Sequence, residues 1–120
     1  MKKSIIQEKS YKFALRIIKL HKFLLDKKEY VLSKQILRCG TSVGANVKEA
    51  LQAESKLDFI HKLNIALKET SETEYWLQLL RDSNYIDAKS FTSIGDDCIE
   101  IVKLITSIIK TSKANLEKQK

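Results

Sequence analysis

Apolar residues recur along this chain in alternating steps of three and four, the spacing of helices that share a core. The pattern is clearest at Phe91, Ile94, Cys98, Ile101, Ile105 and Ile108. A second run is Phe59, Leu63, Ala66, Thr70, Thr73, Leu77 and Leu80. A third is Leu32, Ile36, Cys39, Val43, Asn46, Ala50 and Ala53. Polar punctuation separates these runs. Asp26-Lys27-Lys28-Glu29 closes a first helix. Ser55 with Asp58 is a capping-box-like pair. Asp82-Ser83-Asn84 reads as a loop, and Asp87 is placed to cap the helix that follows. The spacing predicts helices over 10–25, 30–53, 55–81 and 87–113 in one domain, with a fraying polar tail; apolar Ile5 and Ile6 leave room for some helix before Ser10. Short connections make neighbours antiparallel, so the expected fold is all-α, an up-down-up-down four-helix bundle.

The first helix carries more apolar surface than one seam uses. Phe13, Ile17, Leu20 and Leu24 form one stripe; Ala14, Ile18, His21 and Leu25 form another beside it. At 100° per residue the two cover roughly 160° of arc. One stripe serves the bundle core. The other needs a second partner, since monomers rarely expose a large contiguous apolar patch. A homo-oligomer is therefore expected, with Lys9, Lys12, Arg16 and Lys19 on the opposite, solvent-facing side.

Between Gln35 and Trp76, polar residues take core-like spacings: Arg38, Ser42, Asn46, Glu49, Lys62, Glu69 and Glu72. In an antiparallel hairpin, facing residues have numbers with a nearly constant sum. Arg38 with Glu72, Ser42 with Glu69 and Glu49 with Lys62 all obey one register. They are expected to form a cross-helix polar ladder, with Asn46 between the rungs and Trp76 covering the Arg38 guanidinium. Under this paired-ladder reading Arg38→Ala is expected to destabilise strongly, by leaving Glu72 unpaired. Gly40 and Gly44 sit one turn apart in the same helix, where each costs about 1 kcal/mol relative to Ala. A close backbone approach or a kink would compensate.

Charge adds one fact to this picture. The net charge is +7, and residues 1–34 hold all of it, with ten Lys or Arg against three acids. A basic patch of this kind attracts phosphates; the other reading is a solvated face that keeps the protein soluble. Cys39 and Cys98 fit no metal or redox spacing and read as reduced, buried thiols. No apolar run approaches the ~20 residues that cross a bilayer. The opening MKKSIIQEKS lacks the features of a signal peptide, so the protein is expected in the cytoplasm. Asp58-Phe59-Ile60-His61 supplies only half of a di-iron Glu-x-x-His arrangement, and His21 has no acid three residues before it. Ser42 has no base positioned by the sequence. Neither catalysis nor a cofactor is expected.

The polar stretch also carries a family pattern. Gln35, Arg38, Ser42, Gly44, Asn46, Glu49 and Ala50 resemble a signature R-x-x-x-S-x-G-x-N-x-x-E-A. Ser55, Asp58, Phe59, Lys62, Leu63, Ala66, Glu69, Glu72 and Trp76 resemble its next helix, up to an E-x-x-x-W ending. The chain thus looks like a member of the bacterial four-helix-bundle family named after proteins encoded in intervening sequences of 23S rRNA genes. The resemblance implies a left-handed up-down bundle that assembles as a ring, usually a homopentamer. It is similar in fold to the accessory protein of diversity-generating retroelements, a basic pentameric barrel that works with a reverse transcriptase and RNA. Members are generally of unknown function.

Two functions follow as expectations. One is an oligomeric protein that binds structured RNA through Lys9, Lys12, Arg16 and Lys19, reading charge and shape. The other is a protein-interaction scaffold that binds no nucleic acid.

Overall fold

A computed structural model describes residues 4–118, which form four helices and no strand. They are α1 (Ile5–Asp26), α2 (Leu32–Leu51), α3 (Lys56–Asp82) and α4 (Ala88–Lys118). Each helix packs on its neighbours in sequence, and α4 returns to touch α1, with no diagonal contact of comparable extent. Every neighbouring pair is antiparallel. Arg38 meets Glu72 while Glu49 meets Lys62, and Lys9 meets Glu100 while Arg16 meets Asp97. The result is an up-down-up-down bundle of 53 × 25 × 21 Å.

Two helix ends differ most from the expected bounds, and α2 is two residues shorter than expected at each end. α1 begins at Ile5, because Ser4 caps it by accepting the Gln7 N–H at 3.3 Å. The Ser4-x-x-Gln7 capping pattern is present in the sequence, hidden by the basic residues before it. α4 does not fray after 113; it continues to Lys118, and Leu116 packs against the core. The other caps form where the spacing places them. Ser55 accepts the Asp58 N–H at 3.1 Å, and Asp87 accepts the Ser90 N–H at 2.7 Å.

The α1–α2 and α3–α4 connections share one device. Lys28 and Asn84 take positive φ, 62° and 68°, just past the helix ends. Glu29 N–H then donates to Leu24 O and Lys28 N–H to Leu25 O, both at 2.9 Å. Tyr85 N–H and Asn84 N–H repeat this pair on Leu80 O and Arg81 O. These are Schellman closures, which satisfy the last carbonyls of a helix. Glu29 then turns inward, nearly buried, and accepts the Ser33 N–H at 2.7 Å. It serves as the cap that Val31 cannot supply.

The core is close to the predicted seams, with local rotations. Val47 and Ser33 are buried in α2 in place of Asn46 and Leu32, Ile60 is more deeply buried than Phe59, and Ile109 is more deeply buried than Ile108. The rotation of α2 follows from its glycines. A Cβ on Gly40 would lie 2.6 and 2.7 Å from Ile17 Cγ1 and Cγ2, and one on Gly44 would lie 3.2 Å from the Ser10 carbonyl oxygen. The missing side chains let α1 settle onto α2 within one chain. Phe13, Ile17 and Leu24 bury on that contact, while Ala14, Ile18 and His21 are half covered. His21 Nδ1 lies 3.0 Å from Ser33 O, so the second stripe is partly covered inside the chain. The large apolar side chains that remain open on α1 include Tyr11, Leu15, Phe23 and Leu25.

Ile17 is fully buried and stiff at χ1. Gly40→Ala should therefore lose about 1–2 kcal/mol in urea unfolding, because overpacking outweighs the helix-propensity gain. Gly95 faces no heavy atom within 4 Å of where its Cβ would be. Gly95→Ala should gain about 0.5–1 kcal/mol in the same measurement.

Candidate functional site

The polar ladder forms with one centre and one outer rung. Arg38 sits at the centre. Its Nη2 donates to Glu72 Oε2 and its Nη1 to Glu69 Oε2 at 3.4 Å. Lys62 Nζ reaches Glu49 Oε1 at 3.3 Å. Trp76 joins through its edge: Nε1 donates to Glu72 Oε2 at 3.0 Å, and Tyr75 packs against the indole at 67°. The indole therefore holds the carboxylate, where stacking on the guanidinium was expected.

The expected rung between Ser42 and Glu69 does not form. Ser42 Oγ donates to Arg38 O, one turn back at 2.7 Å, and Asn46 Nδ2 donates to Ser42 O at 2.8 Å. Both satisfy their own helix, as short polar side chains often do. Arg38 spans to both acids in place of that rung. The ladder is also far from buried. The Arg38 side chain is 50% exposed, Glu72 36% and Glu69 21%. The buried polar residues of this hairpin are Ser33, Thr70 and Thr73; the threonine hydroxyls donate to Ala66 O and Glu69 O.

The basic stripe is not uniformly free to solvent. Arg16 turns onto α4, where Nη1 meets Asp97 Oδ2 at 2.6 Å and Ser93 O at 3.2 Å, and Nη2 meets Ser93 Oγ at 2.9 Å. Lys9 pairs with Glu100 at 2.7 Å, a hydrogen bond that raises its pKa. Lys12 pairs with Glu8 on its own helix at 3.0 Å. Lys9 and Arg16 thus tie α1 to α4, and only Lys19 of the four makes no ion pair among the described residues. Lys19 lies in the half of α1 nearest one end of the bundle, where α1 and α3 finish and α2 and α4 start.

At that end a groove of about 1200 Å³ separates α1 from the start of α4. Leu20, Phe23, Tyr85, Ile86 and Ile94 line it, with Lys19, Lys27 and Lys89 among its cations. Lys27 Nζ sits 5.5 Å from the Phe23 ring centre. The sequence reading missed this groove; its α1 wall has a signal in Arg16, Leu20, Phe23 and Lys27, which share one helical face. The α4 wall has none, because it depends on how α1 and α4 dock.

The sequence model of a family described as the 23S rRNA-intervening sequence protein matches residues 2–107. The chain belongs to the 23S rRNA-intervening sequence protein family. A crystal structure of a protein of unknown function from the S23 ribosomal protein family of Bacteroides thetaiotaomicron VPI-5482 is 58% identical to it. That likeness covers 88% of this chain and 99% of the other, with a TM-score of 0.87. Among curated proteins, no match was found. In this family member, the signature residues Arg38, Ser42, Asn46, Glu49, Lys62, Glu69, Glu72 and Trp76 fall on the α2–α3 hairpin and its ladder. The groove residues lie outside that signature.

Other candidate chemistry is quiet. Asp58 lies in the first turn of α3, with its N–H bonded to Ser55, and His61 is exposed. Cys39 and Cys98 are buried free thiols. Burial pushes both above the usual thiol range; a contact with Thr73 Oγ1 at 3.2 Å partly opposes this at Cys39.

Arg38 is half exposed, so its loss leaves Glu72 solvated and still bonded to Trp76. Arg38→Ala should cost about 1 kcal/mol or less, well short of a buried-pair loss. It should also shift the emission of Trp76, the single tryptophan. Folding raises both thiol pKa values, so their contribution to stability is intact below about pH 8.5 and lost as pH rises beyond it. Unfolding free energy measured from pH 8 to pH 10 should fall, and Cys98→Ala should flatten that fall.

Proposed function

We propose that this family member is a non-enzymatic, ring-forming homo-oligomer of the cytoplasm that binds structured RNA through basic α1 surfaces. One observation carries the reading. The whole net charge of +7 lies in residues 1–34, which supply α1, its connection and the start of α2. Lys12 and Lys19 remain on the exposed side of α1, while Lys9 and Arg16 share their charge with acids of α4. A ring repeats the surface in each subunit, and phosphate binding rises steeply with the number of contacts. The ring itself is supported by Tyr11, Leu15 and Leu25, apolar residues of α1 left 65%, 50% and 39% exposed. Resemblance suggests five subunits.

A charge-driven RNA complex weakens with salt. Filter binding to a structured RNA should lose at least about tenfold in affinity between 50 and 200 mM NaCl. Light scattering should give a mass several times the 13.8 kDa of one chain. A monomer at micromolar concentration would remove the ring. Absence of RNA binding at low salt would leave the protein-scaffold reading in its place.

A further inference from the structure

We propose that the groove between the C-terminal half of α1 and the start of α4 takes unpaired nucleotides. This inference rests on the RNA reading above and says which part of a folded RNA the protein holds. The two helices are tied by Lys9 to Glu100 and by Arg16 to Asp97 and Ser93. No hydrogen bond or ion pair joins them beyond Arg16 among the described residues, and the open groove lies at that end.

Its walls combine two chemistries. Lys19, Lys27 and Lys89 make no ion pair among the described residues. The one acid on the wall, Asp87, is engaged in capping α4 through the Ser90 N–H. The occupant is therefore anionic. Phe23, 44% exposed, and the half-buried Tyr85 offer ring faces beside aliphatic side chains. The occupant therefore also has flat apolar surfaces to cover. A single strand carries phosphates and bases at one repeat, which is how sequence-tolerant sites hold it. A duplex hides its base faces and gains nothing from the floor. The volume of about 1200 Å³ lies beyond the range of about 300–1,000 Å³ typical of small-ligand pockets, so a short segment fits better than one nucleotide. Lys27 over the Phe23 ring marks the stacking position. A base takes the ring, and the displaced ammonium meets the adjacent phosphate.

The test is fluorescence anisotropy at low salt with a labelled oligouridine of about ten nucleotides and a blunt RNA duplex of similar charge. The oligouridine should bind at least about fivefold tighter than the duplex. The double variant Lys19→Glu/Lys89→Glu, at exposed positions, should weaken the single strand at least about tenfold and the duplex much less. Phe23→Ala should weaken the single strand about fivefold or more, and Lys110→Glu, at an exposed position outside α1 and the groove, much less. Circular dichroism melting checks that each variant is folded. If wild-type protein binds both RNAs alike and the groove variants change neither, the groove inference fails and the RNA reading stands. If neither RNA binds, both fail. If the variants alter only the oligomer mass, the groove belongs to a second copy and the inference is overturned.

Discussion

Ile17 occupies the place where a side chain on Gly40 would stand, and the rest of the bundle is arranged around that contact. It brings α1 close to α2, with Gly44 against the Ser10 backbone as a second point of approach. Closeness at this contact sets the rotation of α1. Phe13, Ile17 and Leu24 then face inward, and Lys9 and Arg16 point toward α4. Mid-helix glycine weakens a helix by itself. Here the loss is offset by dense packing, which is worth more than propensity in a bundle of this size.

The polar hairpin plays a different part. Its charged groups lie at the rim of the α2–α3 contact, with fully buried Val43, Ala66 and Leu77 beneath them. Groups in that position contribute little net stability, but a shifted register would separate them. Arg38, gripping two carboxylates one turn apart, specifies the alignment, and Trp76 holds one of those carboxylates from the other side. The threonines deeper in the seam bond to carbonyls of their own helix, and only Thr73 also reaches across, to Cys39 Sγ at 3.2 Å.

Much of this was legible in the sequence, and the exceptions are instructive. Helix number, direction and the Arg38–Glu72 and Glu49–Lys62 pairs follow from spacing alone, since antiparallel helices fix which residues face each other. Ser42 and Asn46 were misplaced because periodicity says which face a residue occupies and not how far its side chain reaches. A serine oxygen close to its own helix finds the carbonyl one turn back before it finds a carboxylate across the gap. Arg16 was misplaced for the opposite reason. Its long side chain leaves the solvent-facing side and crosses to Asp97, a contact 81 residues away that no local pattern announces. The groove was missed, because only one wall lies on a single helix and the other depends on docking.

Lys28 has a wider consequence. Glycine is the natural occupant of a left-handed position at the end of a helix, yet a lysine stands there at φ 62°. Lys28 follows Lys27 just past the C-terminal, negative end of α1, where a positive charge is favourable and offsets part of the conformational cost. The same lysine adds to the positive field at the end of the bundle that holds the groove. A glycine would make a better hinge and a weaker field. The turn thus trades local backbone comfort for added positive charge just past the helix end, so a change of this residue to glycine would ease the loop and thin the field at once.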